Sequence, residues 1–111
     1  MKIIRGDYKV ISFVRKDVNK KIIEDIPEKV YLTIKGSYTS DKVLIQKTLD
    51  NGITINENFE YNIEFVSTDT DGLDFGKYVY DIEIKNGDKP KTIHRGTFEI
   101  EEEVTHAKDE V

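Results

Sequence analysis

An antiparallel β-sandwich of about seven to eight strands is the fold this sequence predicts, and three observations predict it. Apolar and polar side chains alternate over short runs, most clearly at Phe59, Tyr61, Ile63 and Phe65 and again at Val30, Leu32 and Ile34. Strand side chains point to opposite faces with period two, so such runs place one face on a core and one in water. Turn signals separate the runs, notably Asn51-Gly52, Asp71-Gly72 and Asn86-Gly87, because glycine and asparagine tolerate the positive φ of tight turns. No segment sustains a helical period. Short strands with regular turn signals are the pattern of a sandwich or barrel.

Taken in order, Tyr8–Arg15 reads as the first strand, with Ile11 and Phe13 on its buried side. Lys16–Lys21 is polar and turn-like, and Ile22–Pro27 is a connection closed by the proline. Glu28–Lys35 follows as a strand, with Val30, Leu32 and Ile34 facing inward, then a Gly/Ser/Thr/Asp loop over Gly36–Lys42. Val43–Leu49 and Ile53–Ile55 are strands joined by Asp50-Asn51-Gly52, which is read as a hairpin. Phe59–Val66 is the next strand, with Phe59, Tyr61, Ile63 and Phe65 on one face. Ser67–Leu73 has room for one helical turn. Lys77–Lys85 and a last strand over Lys91–Glu101 flank the Asn86-Gly87-Asp88 turn, and a bend is expected at Gly96 because glycine inside a strand often marks a bulge. The expected inward set is Phe13, Val30, Leu32, Ile34, Phe65, Tyr78, Tyr80, Ile82 and Phe98. The domain is expected to span residues 1–103, with an acidic, flexible tail over 104–111.

One stretch narrows the fold. Thr68–Gly76 is a polar corner that leads directly into the strand carrying Tyr78, Tyr80, Ile82 and Ile84 on one face. A tyrosine at the start of a strand after such a corner resembles the tyrosine corner of immunoglobulin-like sandwiches. The expected architecture is therefore an immunoglobulin-like antiparallel β-sandwich.

Composition restricts function more than it assigns it. The chain has 111 residues, 37% of them apolar and 35% charged, which suits one thin two-layer domain. Cysteine is absent. That excludes disulfides, thiolate nucleophiles and cysteine-bound metals, and favours folding in a reducing cytoplasm. The N-terminus lacks the apolar run of a signal peptide, and no stretch is apolar for long enough to form a transmembrane helix. Residues 1–55 carry 11 Lys/Arg and 7 Asp/Glu, or +4, and residues 56–111 carry 6 and 15, or −9, which together give the net −5. This balance speaks against nucleic-acid binding, which needs a basic footprint. The asymmetry either steers contacts between copies or averages out as strands from both halves neighbour each other.

Chemistry-bearing motifs are few. Arg5-Gly6-Asp7 matches the adhesion tripeptide, but a match of three residues is short, and a structural role at the entry to the first strand is the simpler reading. Asp69-x-Asp71-Gly72-x-Asp74 resembles part of a calcium loop but lacks its further ligands and closing glutamate. His94 and His106 stand in no metal-ligand spacing, and no nucleophile frame accompanies either. Tyr31, Tyr38, Tyr78 and Tyr80 form either a sugar-stacking platform or ordinary core and interface aromatics. No catalytic, cofactor-binding or metal-binding residue is assigned, and no cofactor is expected.

A resemblance carries the functional expectation. It rests on Arg5-Gly-Asp7 leading into Ile11-Ser-Phe13, then Val14-Arg-Lys-Asp17, Lys29-Val-Tyr-Leu-Thr-Ile-Lys35 and Ile45-Gln-Lys-Thr-Leu-Asp50. It continues through Asp69-Thr-Asp-Gly-Leu73, Gly76-Lys-Tyr-Val-Tyr-Asp-Ile-Glu-Ile84, Thr92-Ile-x-x-Gly96-x-Phe-x-Ile100 and Glu103-Val-Thr105. In that order, over residues 3–105, the features resemble the N-terminal immunoglobulin-like domain of the baseplate upper protein of phages that infect Gram-positive bacteria. Small stand-alone phage and prophage proteins share the pattern. The resemblance implies a structural or assembly protein of a virion tail or baseplate, made in the bacterial host cytoplasm. Its partners would be other tail or baseplate proteins, with a homo-oligomer in the assembled particle and neither nucleic acid nor membrane. The larger baseplate proteins continue beyond this domain, so the expected alternatives for this chain are an adaptor, an accessory tail protein or a fragment expressed alone. The family supplies no catalytic residues. The alternative from a different class is a carbohydrate- or host-surface-binding module on the same particle, recognisable by exposed coplanar aromatic rings at a loop end.

Overall fold

The computed structural model describes residues 1–104. Residues 105–111, which hold His106 and nearly all of the expected tail, lie outside the described residues. The chain is all-β. Its strands are β1 (Lys2–Ile4), β2 (Lys9–Val14), β3 (Lys29–Lys35), β4 (Ile45–Leu49), β5 (Gly52–Ile55), β6 (Glu60–Phe65), β7 (Gly76–Asn86) and β8 (Lys89–Glu101), with one helical turn, α1 (Ser67–Thr70), between β6 and β7. They form one eight-stranded sheet in the order β1-β8-β7-β3-β4-β5-β6-β2. This sheet curls until its two ends face each other, which gives a nearly barrel-shaped body.

The expected all-antiparallel pairing does not hold, because the sheet is mixed. β1 runs parallel to β8, with Ile3 opposite Ile100, and β4 runs parallel to β5, with Thr48 opposite Gly52. The second pairing overturns the hairpin read at Asp50-Asn51-Gly52. Asp50 takes the positive φ, at 67°. Asn51 N–H donates to the Thr48 carbonyl and Thr48 N–H to the Asn51 carbonyl. This closes a single coil, after which the chain continues in its original direction. Asn-Gly favours positive φ but does not dictate how many residues the turn consumes. The second loop, Asn86–Lys89, is the hairpin expected from its sequence.

β1 is the strand that sequence periodicity misses. Three residues are too few to display a period, yet Ile3 is buried between β8 and the core. The core otherwise follows the alternation. Val30, Leu32, Ile34, Phe65, Tyr80, Ile82 and Phe98 are all buried, joined by Ile45, Ile53, Tyr61, Ile63, Ile84 and Ile100. Phe13 and Tyr78, also expected inside, are half-buried against this cluster. Phe65 and Phe98 meet across the interior with ring centroids 5.6 Å apart, which ties β6 to β8. Phe59 leaves its expected strand face. It sits before β6 with φ 59°, where the Asn56 side-chain oxygen accepts from the N–H groups of Asn58 and Glu60 and turns the chain.

The expected bend at Gly96 is displaced. The register between β7 and β8 shifts at Ile93, so that His94 faces Ile82 and Thr92 faces Glu83. Gly96 has a different task. It lies opposite Tyr80, and a Cβ there would come within 3.3 Å of the Tyr80 ring. Glycine is needed for this close approach.

Candidate functional site

Two regions collect the polar and aromatic side chains singled out in the sequence, and they differ in kind. The first is the corner where β1, α1, β7 and β8 converge. Asp69 organises its helical turn. One carboxylate oxygen accepts from Val66 N–H at 2.8 Å and from Lys47 Nζ at 2.6 Å. The turn thus gains a charge-assisted cap at its N-terminal end, where unpaired N–H groups favour an anion. Thr70 is fully buried, and its Oγ1 accepts from Gly6 N–H at 2.8 Å. Arg5 forms a two-pronged pair with Glu103, through Nε at 3.1 Å and a terminal nitrogen at 2.9 Å, and donates to the Leu73 carbonyl. Its guanidinium also lies 4.7 Å from the centre of the Phe75 ring. The Glu103 hydrogen bond, followed by the charges of Glu103, Asp74 and Glu102, raises the Arg5 pKa above its ordinary value, against the opposing effect of burial.

Tyr78 completes the corner. Its hydroxyl donates to the Asp74 carbonyl four residues earlier. Burial, and then the nearby Asp74 charge, push its pKa up. The two sequence motifs that fall here are thereby given structural partners. Arg5-Gly6-Asp7 has its arginine tied to Glu103 and its glycine to Thr70. Asp69 is turned onto Lys47, away from Asp71 and Asp74. Among the described residues no group of three His, Asp or Glu side chains could hold a metal ion.

The second region is the seam where the ends of the curled sheet face each other. β2 pairs with β6 along one edge only, and β8 pairs with β1 only over Glu99–Glu101. Among the described residues the outer edges of β2 and of Lys89–Arg95 in β8 have no strand partner. Side chains alone cross the gap. Phe13 meets His94 edge to face at 5.5 Å, and Lys9 Nζ donates to the Lys2 carbonyl at 2.9 Å. On either side of the Phe13–His94 contact a groove opens. One, of about 400 Å³, is floored by Ile11, Phe13, Tyr80 and Ile82 and edged by Lys2 and Lys9. The other, of about 330 Å³, runs past Ile23 and Ile93 and is edged by Arg15, Lys16 and Lys91. Among the described residues no Asp or Glu lines either groove, in a chain whose acidic residues outnumber its basic ones 22 to 17.

Sequence reasoning could not find this seam, because its walls come from β2 and β8, at opposite ends of the sequence. The β8 bulge is part of its construction. The register shift falls at Ile93, within the run Lys91–His94 that lines the second groove. Beneath the seam, Phe13 stacks on Tyr61 with ring centroids 4.8 Å apart. The buried Tyr61 hydroxyl has no hydrogen-bond partner among the described residues.

The four tyrosines proposed as a platform do not assemble. Tyr80 is buried in the core and Tyr78 is committed to the corner. Tyr31 lies opposite Glu83 and Thr48 in the sheet. Tyr38 is exposed, but its ring is covered by the Arg95 guanidinium at 4.4 Å and its hydroxyl donates to the Gly96 carbonyl. No helix among the described residues is long and apolar enough to cross a membrane. Compared with known protein families and with curated proteins, the chain has no match.

Proposed function

We propose that the chain is an immunoglobulin-like structural or assembly component of a phage or prophage tail or baseplate, acting through protein–protein contacts and not through turnover. The observation that carries the association role is the seam, two strand edges without strand partners flanking an apolar gap. Unpaired edge strands are templates for another chain, and soluble proteins generally blunt or cover them. The phage setting is supported by the ordered resemblance over residues 3–105. Two features favour the immunoglobulin-like reading. Within the single sheet β5, β6 and β2 are successive neighbours toward one end and β3, β7 and β8 toward the other, and Tyr78 bonds back across the corner that precedes its strand.

The test is made on particles. Virions and assembly intermediates from a lysate of the phage or induced prophage that encodes the chain are separated on a density gradient and probed with an antibody against it. The expected result is a constant ratio of the chain to particle protein across the peak, with the density located by cryo-microscopy. Absence from virions and intermediates, together with saturable binding of purified cell-wall polysaccharide, would replace this reading with the surface-binding one.

A further inference from the structure

We infer that the seam between β2 and β8 binds an extended, acidic segment of a partner protein, which adds as a strand to the free edge and sets alternate apolar side chains into the two grooves. This inference rests on the reading of the chain as an association module and names the chemistry of its partner. Three observations select that occupant. First, both walls offer unpaired backbone edges, over Lys9–Val14 and Lys89–Arg95, and an unpaired edge is satisfied by another extended chain. Second, the Phe13–His94 contact divides the gap into a mainly apolar groove over Ile11, Phe13, Tyr80 and Ile82 and a more polar one that still offers Ile23 and Ile93. Side chains two apart on a strand share a face, so one strand presents successive apolar groups to successive grooves. Third, the rim is basic at Lys2, Lys9, Arg15, Lys16 and Lys91; among the described residues no carboxylate lines it, and of these five only Arg15 has an acidic partner, the exposed Asp25 at 3.4 Å. Positive rims select acidic segments and speed their encounter. A second copy docked seam to seam would bring the two basic rims together, so the charge pattern disfavours symmetric self-pairing at this face.

The probe is a fluorescent ten-residue peptide that alternates Glu with Val or Phe, titrated into the intact chain. Polarisation and backbone amide NMR are the readouts. Three results are expected. The peptide binds saturably, with amide shifts concentrated along β2 and the first half of β8. A peptide with Lys in place of Glu binds at least about tenfold more weakly, as does one with alternate backbone nitrogens methylated. The double variant Lys9→Glu/Lys16→Glu, its fold checked by an unchanged amide spectrum away from the seam, loses about tenfold for the acidic peptide and gains for the basic one. Equal binding of acidic and basic peptides overturns the inference, as do amide shifts confined to other faces. Concentration-dependent dimerisation through the seam, with no response to peptide, overturns it in favour of self-association. A chain found in particles whose seam amides ignore the acidic peptide overturns this assignment alone and leaves the assembly role standing. Peptide binding at the seam by a chain absent from every particle does the reverse.

Discussion

The corner and the seam share β8 and solve opposite problems. At the corner, β1, α1, β7 and β8 meet, and backbone and side-chain polar groups find partners within the chain. Gly6 N–H has Thr70, Val66 N–H has Asp69, Tyr78 has the Asp74 carbonyl and Arg5 has Glu103. At the seam, β2 and the first half of β8 leave their outer edges unpaired and bridge the gap with two side-chain contacts. Buried polar groups must be hydrogen-bonded or they destabilise the fold. A region that meets this rule internally is structural. An edge that leaves it to the surroundings is available to a partner. The comparison assigns stability to the corner and core and association to the seam.

The largest effect that tests this division is in the core between the two regions. Phe98→Ala removes a fully buried ring from the β6–β8 contact and is expected to cost about 3–5 kcal/mol in urea denaturation. Phe13→Ala at the seam should lose less than half as much, because Phe13 is only half-buried. Equal losses would mean that the seam belongs to the core. Next in size is the corner. Thr70→Val keeps shape but strands the Gly6 N–H, and about 1–3 kcal/mol should be lost. Gly76→Val should cost a similar amount, about 1–3 kcal/mol, because φ there is +140° with open space around the Cβ position. The penalty would be one of backbone conformation, so Gly76→Ala should cost nearly as much as the valine.

Alkaline titration separates the regions more finely. Tyr78 and Tyr80 have pKa values raised above the ordinary 10.0, in both cases chiefly by burial. Tyr8 is raised by its hydrogen bond to Glu64. A tyrosine whose folded pKa exceeds its unfolded one holds its proton longer in the folded state. The stability this represents is complete below about pH 10 and is lost as pH rises through the folded values. Melting temperature should therefore fall above about pH 10, and less steeply in Tyr78→Phe. An unchanged slope in that variant would remove Tyr78 from the corner's polar network. The smallest expected effect has the opposite sign. Tyr61→Phe deletes a buried hydroxyl with no partner among the described residues, so it should leave stability unchanged or raise it by up to about 1 kcal/mol. A clear loss would mean that this hydroxyl has a partner under the seam.

How much of this was legible beforehand differs between the two regions for a physical reason. The corner is local. Asp69, Thr70, Asp74, Gly76 and Tyr78 lie within ten residues, and turn chemistry with period-two alternation pointed to a polar turn feeding a half-buried strand. Even there, the partners Gly6, Lys47 and Glu103 are distant in sequence and carried no signal. The core alternation of β3, β6 and β7 was legible because burial on one face of a strand imposes a period. β1 was not, because three residues cannot show one. The turn at Asp50–Gly52 was legible as a turn but not as a coil, since positive φ is a property of residues and turn length a property of the path.

What the sequence determined by itself is that the chain is all-β, with inward faces at Val30–Ile34, Phe65, Tyr80–Ile82 and Phe98. Alternation and turn preference act between neighbours, and neighbours are what a sequence displays. Only the tertiary structure decided that the strands form one mixed sheet, that its curl leaves β2 facing β8 across an open gap, and that Lys2, Lys9, Arg15, Lys16 and Lys91 gather along that gap. Those outcomes depend on which edges meet after the sheet twists and closes. That is a balance over the whole strand set, and no single stretch of residues encodes it.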